Sequence, residues 1–445
     1  MQPRRLALLF TLLLCACSSL PDPDVQRRLK PAEEALDTDG SITNLFHSVL
    51  YYPGELSLQY DGYIIGVEKS PRERITRAGD VQFKDTPEAG ISIAKAQDKF
   101  NDGKLLYISH IIESTPAPRG NCALYNLYTI NGTPQLARAC ADAAPAPLDT
   151  RAAFSDSWRA LDTLKEVLAK KIDSKKYTDL VIITMGWNTA QEEAVRNFNS
   201  IINSMKQAAG TRRFEPLVIG VTWPSMWASS WMDPVFKGVS FPYKAHDADE
   251  LGLSWLAVLL HDTIAPARGR LPVIVIGHSF GSRAVSAAAC VGPVIVDARH
   301  ASPRAPLDHV INLQGAFLSE RLFGQEDDGI RYPTGCANVR NMVLTSSIND
   351  TAMNKPFWGL YAGDDRSYDQ QCKHQGRKLR CAQATPEGGF TWDGLNPDSN
   401  IVYIDASKLI RENAYGTGGG AHSDIYRNEM GKLIYDLTHA RAAQP

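Results

Sequence analysis

Residues 271–285 read LPVIVIGHSFGSRAV, and the serine at the centre stands between two glycines, Gly277-His278-Ser279-Phe280-Gly281. A hydroxyl on a sharp turn between a buried strand and a helix is placed for nucleophilic attack, and Gly277 and Gly281 avoid the collisions that larger flanking side chains would cause. The plainer alternative is a Gly-rich turn. Context favours the nucleophile, because Val273-Ile-Val-Ile276 precedes the motif and a small-residue helical pattern, Ser282–Cys290, follows it. Serine needs a base within hydrogen-bond reach. Of the ten histidines, His422 follows the last strand-like run in a flexible loop, Gly418-Gly-Gly-Ala-His-Ser-Asp424. The other late histidine, His439, belongs to an expected C-terminal helix over 424–443 and is expected to face solvent.

The base in turn needs a carboxylate that orients it and stabilises its cation. Asp350, in Thr345-Ser-Ser-Ile-Asn-Asp-Thr351 just past an apolar run, is the preferred acid. Its alternative role is to cap a turn, and Asp364, Asp365 and Glu320 are its competitors. Charge developing on an attacked carbonyl oxygen needs backbone N–H donors. Phe280, next after the serine, and Trp187, next after Gly186, are the candidates; for Trp187 the alternative is core packing. No His-Glu-x-x-His and no clustered Cys/His set suggests a metal, and no cofactor is implied.

These residues need a scaffold that brings strand ends together. Apolar, β-rich runs occur at 104–112, 123–130, 179–184, 217–223, 273–276, 310–313, 339–345 and 401–404, with helical patterns at 157–172 and 189–207 between them. Strands alternating with helices predict an α/β fold with a mostly parallel, doubly wound sheet. In such sheets ligands bind beyond the carboxyl ends of the strands, which is where Ser279, Asp350 and Trp187 fall. The segment 224–255 holds Trp227, Trp231, Phe236, Phe241 and Tyr243. It is read either as an apolar cap or as packing beneath a long connection.

The chain of 445 residues, 44% hydrophobic and 22% charged, has the composition of a globular protein. Its net charge of -2 gives no reason to expect nucleic acid as a partner. Arg4 and Arg5 precede a short apolar run, Leu6–Leu14, followed by Cys15-Ala16-Cys17-Ser18. That order predicts a cleaved export signal over 1–16 rather than a membrane-spanning helix. Leu14-Cys15-Ala16-Cys17 resembles a bacterial lipobox, which implies lipidation at Cys17 and, with Ser18 following, outer-membrane sorting. Residues 17–44 then read as a tether, 45–103 carry no assignable role, and 104–445 form the body. Past Cys17 remain Cys122, Cys140, Cys290, Cys336, Cys372 and Cys381. An even number in an exported chain suggests disulfides. Sequence proximity suggests 122–140, 290–336 and 372–381; buried thiols are the alternative. Asn131-Gly-Thr133 matches a glycosylation sequon and is read as a chance match.

Met185-Gly-Trp-Asn188, Thr222-Trp-Pro-Ser225, Gly277–Gly281, Ser346-Ser-Ile-Asn-Asp350 and Gly420-Ala-His422 occur in the order seen in serine-dependent α/β-hydrolases. Over roughly 176–440 the chain resembles a little-characterised bacterial lipase-like branch of that superfamily. The resemblance implies an ester hydrolase with Ser279, Asp350 and His422 as triad and Phe280 and Trp187 as oxyanion donors. Many relatives carry His where this chain has Met185. The expected substrate is an ester or lipid, and the expected membrane contact is the lipid anchor. Action on envelope phospholipids, peptidase activity, and a catalytically silent binding lipoprotein are the rival readings.

Overall fold

The computed structural model describes residues 57–69, 81–84, 90–100, 105–116, 120–127, 138–145, 152–187, 189, 191–225, 233–297, 306–323, 329–332, 335–354, 359–374, 379–394, 396, 398–412 and 420–439. The expected leader and tether, with Cys17, lie outside the described residues, as does the Asn131 sequon. The strands are β1 (Gly62–Lys69), β2 (Leu106–Ser114), β3 (Cys122–Asn126), β4 (Asp179–Thr184), β5 (Pro216–Thr222), β6 (Val273–His278), β7 (Leu307–Leu313), β8 (Val339–Ser346), β9 (Arg380–Ala384), β10 (Phe390–Gly394) and β11 (Ile401–Asp405). The main helices are α1 (Ile93–Phe100), α2 (Ala153–Asp173), α3 (Gln191–Ala209), α4 (Asp233–Leu253), α5 (Phe280–Cys290) and α6 (Asn428–His439). No helix among the described residues is long and apolar enough to cross a membrane.

The strands form one sheet in the order β10-β9-β11-β8-β7-β6-β4-β5-β1-β2-β3. Every pairing from β9 through to β1 is parallel, and antiparallel β10 at one edge and β2–β3 at the other complete the sheet. The central strands are apolar on both faces, as strands covered by helices on both sides must be. In β4, Leu180 and Ile182 enter one core while Val181 and Ile183 enter the other, the period of two expected of a pleated strand. Helices α2, α4 and α5 cover the first core, and α3 and α6 cover the second. Each fully buried aliphatic side chain in these layers contributes about 1.5–3 kcal/mol.

The chain runs from β4 to β5 on one side and then returns to place β6 on the other side of β4. That reversal opens a crevice at the carboxyl ends of β4 and β6. The turns leaving those two strands carry Gly186-Trp187 and Ser279.

Part of the stretch without an assigned role supplies β1, which pairs parallel with β5 and antiparallel with β2. Its glycines obscure the strand pattern but answer to space, since a Cβ at Gly66 would lie 2.0 Å from the His110 ring. Most of the described part of the aromatic-rich segment is α4, whose Ala248, Leu251 and Leu253 are buried in the first core. Trp227 and Trp231 lie outside the described residues, and Tyr243 is exposed. His439 corrects the expectation of a solvent-facing side chain. It is half-buried, its ring stacks on Tyr435 at 4.1 Å, and its Nε2 lies 3.1 Å from Asp179.

All three suggested disulfides are present: Cys122–Cys140, Cys290–Cys336 and Cys372–Cys381. Cys290–Cys336 ties the end of α5 to the turn that leads into β8, and so links the elements that carry Ser279 and Asp350.

Candidate active site

Ser279 sits between β6 and α5 with φ 56° and ψ -122°, a backbone conformation that L-residues rarely adopt. Such a conformation, costing about 1–3 kcal/mol, persists only where its surroundings enforce it. Here Ser279 N–H donates to the Leu313 carbonyl at 3.0 Å, and the Ser279 carbonyl accepts from Ser282 N at 3.0 Å and Ala316 N at 3.1 Å. The glycines are required by contact. A Cβ at Gly277 would stand 2.6 Å from Ser282 N, and one at Gly281 would stand 2.5 Å from the Thr184 carbonyl oxygen.

The turn after β4 lies against this serine. A Cβ at Gly186 would fall 2.5 Å from Ser279 Cβ and 3.0 Å from Ser279 Oγ, so glycine leaves open the space beside the hydroxyl. Trp187 follows, half-buried against the core. Trp223, just past β5, donates its indole N–H to the Met185 carbonyl at 2.9 Å, and Tyr426 Oη lies 3.7 Å from Met185 Sδ. Met185 is thus gripped through both its carbonyl and its thioether. Ser225 also binds the turn, its hydroxyl accepting from Thr189 N at 3.2 Å and donating to the Thr189 carbonyl at 2.9 Å.

Asp350 follows β8 and is fully buried. Its Oδ1 accepts from Ala352 N at 3.0 Å and Met353 N at 3.1 Å, while its Oδ2 accepts from Gln314 Nε2 and His422 Nδ1, each at 2.7 Å. With Nδ1 committed to the carboxylate, a neutral His422 presents Nε2 as its proton acceptor. The loop carrying His422 is zipped to the acid turn: Ala421 N donates to the Asn349 carbonyl at 2.9 Å, and Gly420 forms a β-bridge with Asp350. The His422 ring lies 4.8 Å, centroid to centroid, from that of His278, the residue before Ser279.

Two of the three competing acids are engaged elsewhere, and the third, Glu320, opens the short helix Glu320–Phe323. Asp364 Oδ2 accepts from Arg366 Nε at 3.0 Å, and its Oδ1 accepts from Arg366 N at 2.9 Å. Asp365 accepts from Asn354 Nδ2 at 3.2 Å. Asp350 is the carboxylate bonded to His422 among the described residues. Away from these residues, two groups of metal-ligand residue types occur among the described residues. One consists of Glu113 with the disulfide-bonded Cys122 and Cys140. In the other, of His246, Asp247 and Glu250, Lys244 lies 3.1 Å from Asp247 and Lys69 lies 3.7 Å from Glu250. Neither is a set of uncommitted ligands.

The sequence reading missed Gln314, Tyr426 and the contact made by His278, and it gave no role to Trp223, which lies in the quoted Thr222-Trp-Pro-Ser225. Gln314 stands just past β7 with φ 48°, fully buried, and its Oε1 accepts from Thr345 Oγ1 at 3.1 Å. The signal available for it was the same as for Ser279 and Asp350: a polar residue at the carboxyl end of a central strand.

Residues 160–290 match a family model described as an alpha/beta hydrolase of unknown function (DUF900). No match was found among curated proteins. Among solved structures, a Trichoderma reesei cutinase in complex with a C11Y4 phosphonate inhibitor is similar at 12% identity. That alignment covers 64% of this chain and 88% of the cutinase, with a TM-score of 0.20, a value at which the likeness carries no weight. The matched segment runs from α2 through α5 and contains the switch point and the strained serine turn. That match and the mostly parallel sheet with its strained serine turn support an α/β-hydrolase fold.

Proposed function

We propose that the chain is a serine ester hydrolase working through an acyl-enzyme. The observation that carries this reading is the pair of buried Asp350 and half-buried His422, held against the strand end from which the strained Ser279 projects. His422 Nε2 takes the Ser279 proton as Oγ bonds to the ester carbonyl carbon. The oxygen that becomes negative is met by the backbone N–H groups of Phe280 and Trp187, aimed where charge develops. Collapse breaks the ester C–O bond, and the departing alcohol takes the proton from His422. Water, losing a proton to His422, then attacks the acyl carbon, and the acid leaves as Oγ recovers its proton. Asp350 stays ionised throughout and stabilises the imidazolium.

The reading includes export and attachment to the bacterial envelope through a lipidated Cys17. Three disulfides support an oxidising compartment. Hydrolysis of nitrophenyl esters of increasing chain length by the full chain, with S279A beside it, tests the activity. Turnover lost in the variant is the expected result, and its chain-length optimum separates small esters from lipids. Equal rates for two folded proteins would overturn the proposal. Metabolic labelling with a fatty-acid analogue, abolished by C17S, tests the anchor.

A further inference from the structure

His278 ends β6, immediately before Ser279, and is 5% exposed. The proposed reaction leaves its imidazole without a task. Its Nε2 lies 3.0 Å from the backbone carbonyl oxygen of His422. A carbonyl only accepts, so Nε2 carries the proton and donates. The two rings lie 4.8 Å apart with planes inclined by 38°, so the contact joins the histidine loop to the strand end over a short span. The other described anchors of that loop reach elsewhere: Ala421 and Gly420 hold it to the acid turn, and Asp424 N donates back to the Ala421 carbonyl at 2.9 Å. The His278 contact alone among them links the His422 main chain directly to the residue that precedes the serine.

We infer that His278 is a positioning residue, locking the His422 loop to β6 by donating its Nε2–H to the His422 carbonyl and so fixing base and nucleophile relative to each other. Its catalytic consequence rests on the reading of Ser279 and His422 as nucleophile and base. Acid–base catalysis tolerates little displacement, because a base about 1 Å out of place loses roughly a hundredfold in rate. A histidine suits the task because it is a donor that stays neutral here. Burial, reinforced by the neighbouring His422, pushes its imidazole down to about 3. It therefore sets no second cation beside the imidazolium that His422 becomes during turnover.

The test compares the full chain with H278F, which fills the space without a donor, and H278Q, which restores a neutral N–H. Three readouts are taken: kcat and KM on a nitrophenyl ester, the thermal midpoint, and amide hydrogen exchange over 420–424. H278F is expected to lower kcat roughly 10- to 100-fold with KM within about twofold, and H278Q to recover most of the loss. Exchange over 420–424 should be faster in H278F than in H278Q. Phe and Gln variants equal in kcat and in exchange would overturn the inference and leave His278 as packing. A wild-type chain without esterase activity would retire the catalytic reading, while the exchange comparison would still decide whether the clamp exists.

Discussion

Asp350 and Asp249 are both fully buried, yet the protein treats their charges in opposite ways. Asp249, on α4, faces three cations. Arg283, one turn of α5 beyond Ser279, binds it at 2.9 and 2.7 Å, Arg321 at 2.8 and 3.2 Å, and Lys99 at 3.4 Å. Burial alone would raise the Asp249 carboxyl, but Arg283, Arg321 and Lys99 hold it well below the usual carboxylate range. Asp350 has no such cage. Its donors are two backbone amides, one glutamine and His422. A carboxylate surrounded by fixed cations has its charge cancelled and serves as mortar between elements. One held by neutral donors keeps its charge for a partner that becomes positive only during a reaction.

The sharpest way to break this comparison is to neutralise each aspartate in turn. D350N should cut kcat by about 10⁴-fold, the magnitude seen when a triad acid loses its charge, while the protein stays folded. D249N strands two buried guanidinium groups and should cost about 3–5 kcal/mol of stability by chemical denaturation, with turnover of the folded fraction within a few-fold of wild type. If the two variants exchanged these phenotypes, the assignment of roles would be wrong. Gln314 gives a smaller test. Q314L removes one donor from Asp350 and should lower stability by about 1–3 kcal/mol. Because it acts through Asp350, it should also reduce kcat more than KM changes.

The smallest effect is a slope with pH. Burial pushes His278 down to about 3 and His309 to about 4, whereas in the unfolded chain both titrate near 6.5. The unfolded state therefore binds more protons below about pH 6.5. Stability from these groups is full above that value and falls as pH drops toward 4, by about 1.4 kcal/mol per unit for each. H309Q should remove one such contribution from denaturation curves at pH 7, 6 and 5 and leave turnover intact. An unchanged slope would contradict the neutral state of the half-buried His309.

Much of the scaffold was legible because it is written in local pattern. The run Asp179–Thr184 coincides with β4, and the strand-end rule led to Ser279, Asp350 and Trp187. Pairing the cysteines consecutively along the chain works because each bridge closes a local loop, the longest separation being 46 residues. What stayed hidden depends on remote partners. The glycines of β1 make sense only beside Val218 and His110, which they approach closely. His439 is fixed by Asp179, 260 residues away, and no periodicity records that. Gln314 turns toward Asp350 because its backbone takes a positive φ, a choice set by packing at the ends of β7 and β8 rather than by its own sequence.

The central claim is that Ser279 is a nucleophile activated by His422 and Asp350. It is tested most directly by treating the folded full chain with a fluorophosphonate and locating the adduct by peptide mass spectrometry. A single phosphonylated residue, Ser279, with labelling abolished in S279A and strongly slowed in D350N, is the expected result. A folded protein that takes up no label, or takes it up at another residue, would contradict the account.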